Sequence, residues 1–196
     1  MVLLAKPVPG SFVKYMFIIP GVSDWSEYRY QKLFRLLYGY VQVVSKSSGG
    51  HYTYDRGGIL TELPYIKTGK NSVIVPPDNL QRLISFFRTK KTSAGDKAPE
   101  DCQIKYFIET VQKDPRELVP AFDALFERVR LESGKPLDAA LSDLVTQEDY
   151  SSKDAGFVLQ HAERVCSSSW FQSVMRESPR LGKFFENYQK LKRALS

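Results

Sequence analysis

The chain has 196 residues, 42% hydrophobic and 26% charged, enough to bury one substantial domain or two small ones and the wrong composition for general disorder. Its net charge of +6 is uneven: residues 1–91 carry 13 Lys and Arg against 5 Asp and Glu, residues 92–179 carry 10 against 16, and residues 180–196 carry 5 against 1. The first block also holds 14 of the 25 aromatic residues, and cations interleaved with ring faces suit an anionic partner better than a catalytic pocket.

Taken in chain order, Phe12 to Ile19 is a β-branched and aromatic run that stops at Pro20-Gly21, the pattern of a strand and a turn. Asp24-Trp-Ser-Glu27 has capping-box spacing and predicts a helix whose buried stripe is Tyr30, Leu33, Phe34 and Leu37. Short β-like runs follow at Tyr40 to Ser45, His51 to Asp55, Ile59 to Leu63 and Ser72 to Val75, separated by Gly-rich segments of hairpin type. Asp78-Asn-Leu-Gln81 then caps a helix with Leu80, Leu83, Ile84 and Phe87 inward.

Thr92 to Pro99 has linker composition, which divides the chain into a basic, aromatic α+β region (1–91), a linker (92–99) and a helical region (100–196). Beyond it every segment reads as helix. Ile104, Phe107, Ile108 and Val111 make one stripe, and Asp114-Pro-Arg-Glu117 opens another helix with a cap, a proline at the first position and an N3 carboxylate. Leu118, Phe122, Leu125 and Val129 form its core face, with Gly134 as its stop. Further helices are expected around Leu137 to Leu144, Phe157 to Val165, Trp170 to Val174 and, after Ser178-Pro179, Leu181 to Leu191. The fold class is thus α+β: a strand, a helix and antiparallel hairpins, then an all-α bundle.

No run near the start approaches the roughly 20 apolar residues of a spanning helix, and Met1 to Pro9 lacks a basic leader. Cys102 and Cys166, on different predicted helices, read as reduced buried thiols, so an intracellular setting is expected, cytoplasm and organelle matrix being indistinguishable. No cofactor motif is present: Gly69-Lys70 is a fragment of a phosphate loop and reads as a hairpin turn. The two histidines, His51 and His161, form no metal-ligand spacing, so no metal is expected. A metal-dependent nuclease would need His51, Asp78, Glu100, Asp101 and Lys105 to converge.

The binding reading rests on more residues. Lys46, Arg56, Lys67 and Lys70 lie at or beside predicted hairpin turns, Arg29, Lys32 and Arg35 line a helix, and Arg82, Arg88, Lys90 and Lys91 follow on the next helix and its exit. Tyr52 and Tyr54 interleave them. Such cations can neutralise phosphates while exposed rings stack on unpaired bases. The expectation is a non-catalytic nucleic-acid-binding or ribonucleoprotein assembly protein, with RNA ahead of DNA as partner. An accessory subunit of a large complex is the alternative, ahead of the nuclease. A homo-oligomer is also open, either by the acidic block of one copy meeting the basic block of another or by docking of the aromatic C-terminal helix.

Overall fold

The computed structural model describes residues 6–24, 26–45, 51–92, 95–131, 133–150 and 153–195, with the backbone alone at 51–54. Six strands and seven helices lie in these segments: β1 (Val8–Ile18), α1 (Tyr28–Tyr38), β2 (Tyr40–Ser45), β3 (His51–Arg56), β4 (Ile66–Gly69), β5 (Ser72–Val75), α2 (Leu80–Thr89), β6 (Gln103–Lys113), α3 (Pro115–Arg128), α4 (Leu137–Gln147), α5 (Lys153–Ser167), α6 (Ser169–Val174) and α7 (Pro179–Ala194). An antiparallel sheet of order β4-β5-β1-β6 is the spine, and β2 with β3 forms a separate two-stranded ribbon. The chain is α+β, as its sequence predicts.

Period-two patterning divides β1 between two cores. Val13, Tyr15 and Phe17 face α1 and α2, packing with Leu33, Leu37, Leu83 and Phe87. Val8 and Phe12 face the other way, onto α3 to α7, with Phe122, Phe126, Trp170, Phe171 and Leu181. The same alternation runs across the ladder, because residues opposite one another share a face: Tyr15 lies opposite Tyr106, and Phe12 opposite Ile74. Gly10 opens the space the C-terminal helices need, since a Cβ there would lie 2.7 Å from Ile74 and 3.1 Å from the Trp170 ring. Trp170 itself is fully buried and its Nε1–H donates to the Pro9 carbonyl at 2.8 Å.

Several local expectations change. Ile104 to Val111 is part of strand β6, not a helix, and pairs with β1 along the whole of both strands. Its Ile104-Lys105-Tyr106-Phe107-Ile108 alternation is satisfied by one half-buried and one open face, and eleven residues of pairing outweigh the weaker helical spacing. Residues 92–99 therefore connect α2 to a strand of the same sheet, and the all-helical part begins at α3. Ile59 to Leu63 is a buried turn instead of a strand. The Ile59 and Leu60 amides donate to the Leu36 and Leu37 carbonyls, satisfying acceptors at the end of α1 that would otherwise be orphaned. The capping box before α1 does not close: the helix starts at Tyr28, and Asp24 accepts instead from the Ser26 amide. Asp78 does not cap α2 but accepts from the amide and hydroxyl of Ser169 at the start of α6.

Other signals hold. Asp114 accepts from the Arg116 amide with Pro115 at the first position of α3, though that helix ends at Arg128, before Gly134. The aromatic stripe of α7 is core: Leu181, Phe184, Tyr188 and Leu191 are buried. Both cysteines are free and buried, Cys102 just before β6 rather than on a helix, and burial pushes the Cys166 thiol up to about 12.

The two halves are also joined by charge. Glu62, after the ribbon, receives Arg82 of α2 at 3.1 Å, Arg164 of α5 at 3.0 Å and the Nε2 of His161 at 3.4 Å. The His161 bond, with the two arginines, holds the Glu62 carboxyl at about 2, against an ordinary value of 4.5. A carboxyl depressed on folding stabilises the fold fully above its unfolded value and loses that contribution as pH falls through the folded one. Glu62→Gln is therefore expected to cost about 1–2 kcal/mol at neutral pH, the partial exposure of the cluster screening a larger effect. The gap between wild type and variant should close between about pH 4.5 and 2, read from urea midpoints at stepped pH.

Candidate nucleic-acid interface

The basic residues named from sequence divide into those turned onto the fold and those that build a surface. Arg29 donates from one Nη to both carboxylate oxygens of Asp101, which raises the guanidinium further and holds the carboxyl below its ordinary range. Arg82 is held by Glu62, Lys90 Nζ donates to the Glu100 carbonyl at 3.0 Å, and Arg88 Nε lies 3.4 Å from the Tyr106 hydroxyl. Lys91 joins Lys97 in an isolated β-bridge, Lys70 sits at the β4–β5 turn, and Lys32 is half-buried on α1. Lys46 and the side chains of Tyr52 and Tyr54 lie outside the described residues.

Arg35, Arg56 and Lys67 gather around rings. The Arg35 guanidinium lies over two aromatic faces at once, 5.8 Å from the Tyr28 centroid and 5.1 Å from that of Tyr40. Helical spacing explains the first contact, since Tyr28 and Arg35 are two turns apart on one face of α1. Gly39 explains the second. Its φ of 79° turns the chain sharply from α1 into β2, so Tyr40 returns beside the helix it has just left. Tyr28 keeps 67% of its surface exposed and Tyr40 keeps 40%, so their rings remain open to a further partner. Arg56 stands opposite Tyr40 in the ribbon register, its Nε donating to Gln42 at 3.2 Å. Lys67 Nζ lies 4.9 Å from the Tyr38 centroid.

Tyr40 and Arg56 form one lip of a cleft of about 1070 Å³ between the ribbon and the end of α3. Glu127, Arg128 and Arg130 line the opposite wall. Arg130 is held by Glu127 at 3.1 Å and by the Gly134 carbonyl at 3.1 Å. Arg128 is different. Its guanidinium lies 4.5 Å from the Tyr65 centroid, one Nη–H donates to the Leu63 carbonyl at 3.0 Å, and its buried Nε–H has no acceptor among the described residues. It makes no ion pair among the described residues, and burial pulls its pKa below the ordinary guanidinium value. A largely desolvated cation without a counter-charge is an electrostatic deficit that an incoming anion relieves. Asp55 and Glu127 also line the cleft, and Glu127 is committed to Arg130 and, at 3.5 Å, to Arg180.

No protein-family model, curated protein or solved structure matches this chain. The site thus stands on its own geometry.

Tyr28, Tyr40, Arg128 and Arg130 were not singled out from the sequence. For Tyr28 and Tyr40 the signal was present, as tyrosines flanking the Arg29/Lys32/Arg35 row. Arg128 and Arg130 sit in the acidic block, where regional charge counting hides them.

The groups a nuclease would need do not assemble among the described residues. Asp78 is occupied by Ser169 and Asp101 by Arg29, while Lys105 lies exposed on β6. No group of three His, Cys, Asp or Glu there is placed to hold a metal ion. Among the same residues no helix is long and apolar enough to cross a membrane.

Proposed function

We propose that this chain binds single-stranded nucleic acid, RNA ahead of DNA, through the Tyr28, Arg35 and Tyr40 cluster and the cleft beside it. The observation that carries this reading is that Arg35 lies over the exposed rings of Tyr28 and Tyr40, and that Tyr40 also lines a cleft holding Arg128, an arginine with no ion pair among the described residues. Bases stack on the free faces of Tyr28 and Tyr40, and the intervening phosphates meet Arg35, Arg56 and Arg128. Such a grip is tolerant of sequence, because every base has a face to stack and every linkage a charge. An intracellular setting fits the two free thiols.

Fluorescence anisotropy with labelled single-stranded RNA, single-stranded DNA and duplexes across a salt series tests this directly. Affinity should fall as salt rises and favour the single strands. Tyr40→Ala, Arg35→Gln and Arg128→Gln should each weaken binding roughly tenfold. Arg82→Gln, whose guanidinium is held by Glu62, should leave it within about twofold. Absence of salt-sensitive binding to any strand would overturn the proposal. It would favour the accessory-subunit reading, which draws on Val41 and Val43, 59% and 62% exposed on the ribbon.

A further inference from the structure

The C-terminal helices cover only part of the sheet face they pack on. Beyond Phe12 that face is bare: Lys14 lies opposite Phe107 and Met16 opposite Lys105, with Phe107 58% and Met16 48% exposed. The bare region ends at β6, which is last in the strand order and has no strand on its outer side among the described residues. β6 is eleven residues long, has no proline, and runs against β1 without a register shift. Unpaired backbone groups along so long and regular an edge form a template for another strand.

Natural sheets close such edges with bulges, prolines or outward lysines. β6 has only lysines of these, and of the two Lys113 is paired with Glu117 while Lys105 has a complement on the same strand. Lys105 and Glu109 are exposed, share the bare face with Phe107 between them, and make no hydrogen bond or ion pair among the described residues. An antiparallel two-fold pairing of β6 with itself, centred on Phe107, sets Phe107 against Phe107, Lys105 against Glu109 and Glu109 against Lys105. On the other face the same register sets Tyr106 against Ile108. Centring on Ile108 instead would oppose Glu109 to Phe107 and Lys105 to Val111, and centring on Tyr106 would oppose Lys105 to Phe107. Only the Phe107 register matches rings with rings and opposite charges with each other.

We infer that β6 is a self-pairing edge: two copies of this chain join antiparallel through β6, centred on Phe107, into one continuous eight-stranded sheet. The two-fold axis stands perpendicular to the sheet, so the α1/α2 layers of both copies lie on one side. This assembly is independent of the nucleic-acid reading, since it uses none of the cleft residues.

Sedimentation equilibrium of the full chain tests it, with disulfide trapping as a second readout. The wild type should be a dimer at micromolar concentration. Glu109→Lys places lysine opposite lysine twice and should weaken dimerisation roughly tenfold or more, while Lys105→Glu combined with Glu109→Lys should restore it. Under mild oxidation Phe107→Cys should cross-link two chains, because directly opposed residues in an antiparallel pair have Cα atoms about 4.5–5.5 Å apart, within disulfide reach. A monomer at about 100 μM, on the order of a hundred times the concentration a micromolar dimer needs, would overturn the inference. So would a dimer that tolerates Glu109→Lys and is not trapped by Phe107→Cys.

Discussion

Trp170→Ala is expected to lower the unfolding free energy by about 3–5 kcal/mol, the usual cost of emptying a large, fully buried aromatic site. Two contributions combine. The indole fills the space above Gly10 and packs with Val8, Phe122 and Phe171, so its removal opens a cavity at the junction of β1 with the helical part. Its Nε1–H also satisfies the Pro9 carbonyl, which the variant leaves without that donor. Trp170→Phe separates the two, keeping much of the volume while losing the bond, and should cost only about 1–2 kcal/mol. Urea melts should show a lowered midpoint with little change in slope. A loss below about 1 kcal/mol for Trp170→Ala would mean that the helical part does not depend on this contact.

Gly58→Ala is expected to cost about 3 kcal/mol or more and, with it, to weaken the nucleic-acid binding proposed above. The backbone of Gly58 runs against the end of α1, where a Cβ would lie 2.7 Å from the Leu37 carbonyl carbon and 2.8 Å from its oxygen. Those are main-chain atoms, already fixed by the Ile59 and Leu60 amides, so relief requires moving the chain instead of a side chain. The movement would break the bond from the Gly58 amide to the Thr61 hydroxyl at 2.8 Å and displace Gly39, the hinge that brings Tyr40 over Arg35. Gly57→Ala is the matched control. Its added Cβ meets nothing nearer than 3.8 Å, so stability and affinity should both stay close to wild type. Equal effects at the two glycines, in melts and anisotropy, would refute the close-packing account.

Much of the fold follows from local rules. β2 and β5 span the residues their alternation predicted, and Leu33, Leu37, Leu83, Ile84, Phe87, Leu118, Phe122 and Leu125 are buried on the expected stripes, while Leu36, Phe86 and Phe126 are buried beyond them. The Asp114 cap formed because everything it needs, a carboxylate, a proline and a free amide, lies within four residues. The errors came where a distant partner decided. Ile104, Phe107, Ile108 and Val111 fit a helix by spacing, while Ile104, Tyr106 and Ile108 fit a strand, and only β1 alongside makes the strand the lower state. Ile59 to Leu63 had a strand's composition but was claimed by the orphaned carbonyls of α1.

The candidate site shows the same division. Counting cations could not separate Arg29 and Arg82, consumed by Asp101 and Glu62, from Arg35, set over the Tyr28 and Tyr40 rings. It also passed over Arg128, because that residue owes its character to burial beside Tyr65 with no ion pair among the described residues, a circumstance absent from the local sequence.

By itself, then, the sequence determined the α+β class, the basic and aromatic character of the first half and the inward faces of most helices. These depend on periodicity and composition, which act within a few residues. Only packing shows that β6 completes the first sheet, that Arg35 lies over the Tyr28 and Tyr40 rings while Arg29 and Arg82 are paired with Asp101 and Glu62, and that the outer edge of β6 carries no strand among the described residues. Those outcomes turn on which groups far apart in the chain satisfy one another's hydrogen bonds and charges, a competition settled only when the whole chain is packed.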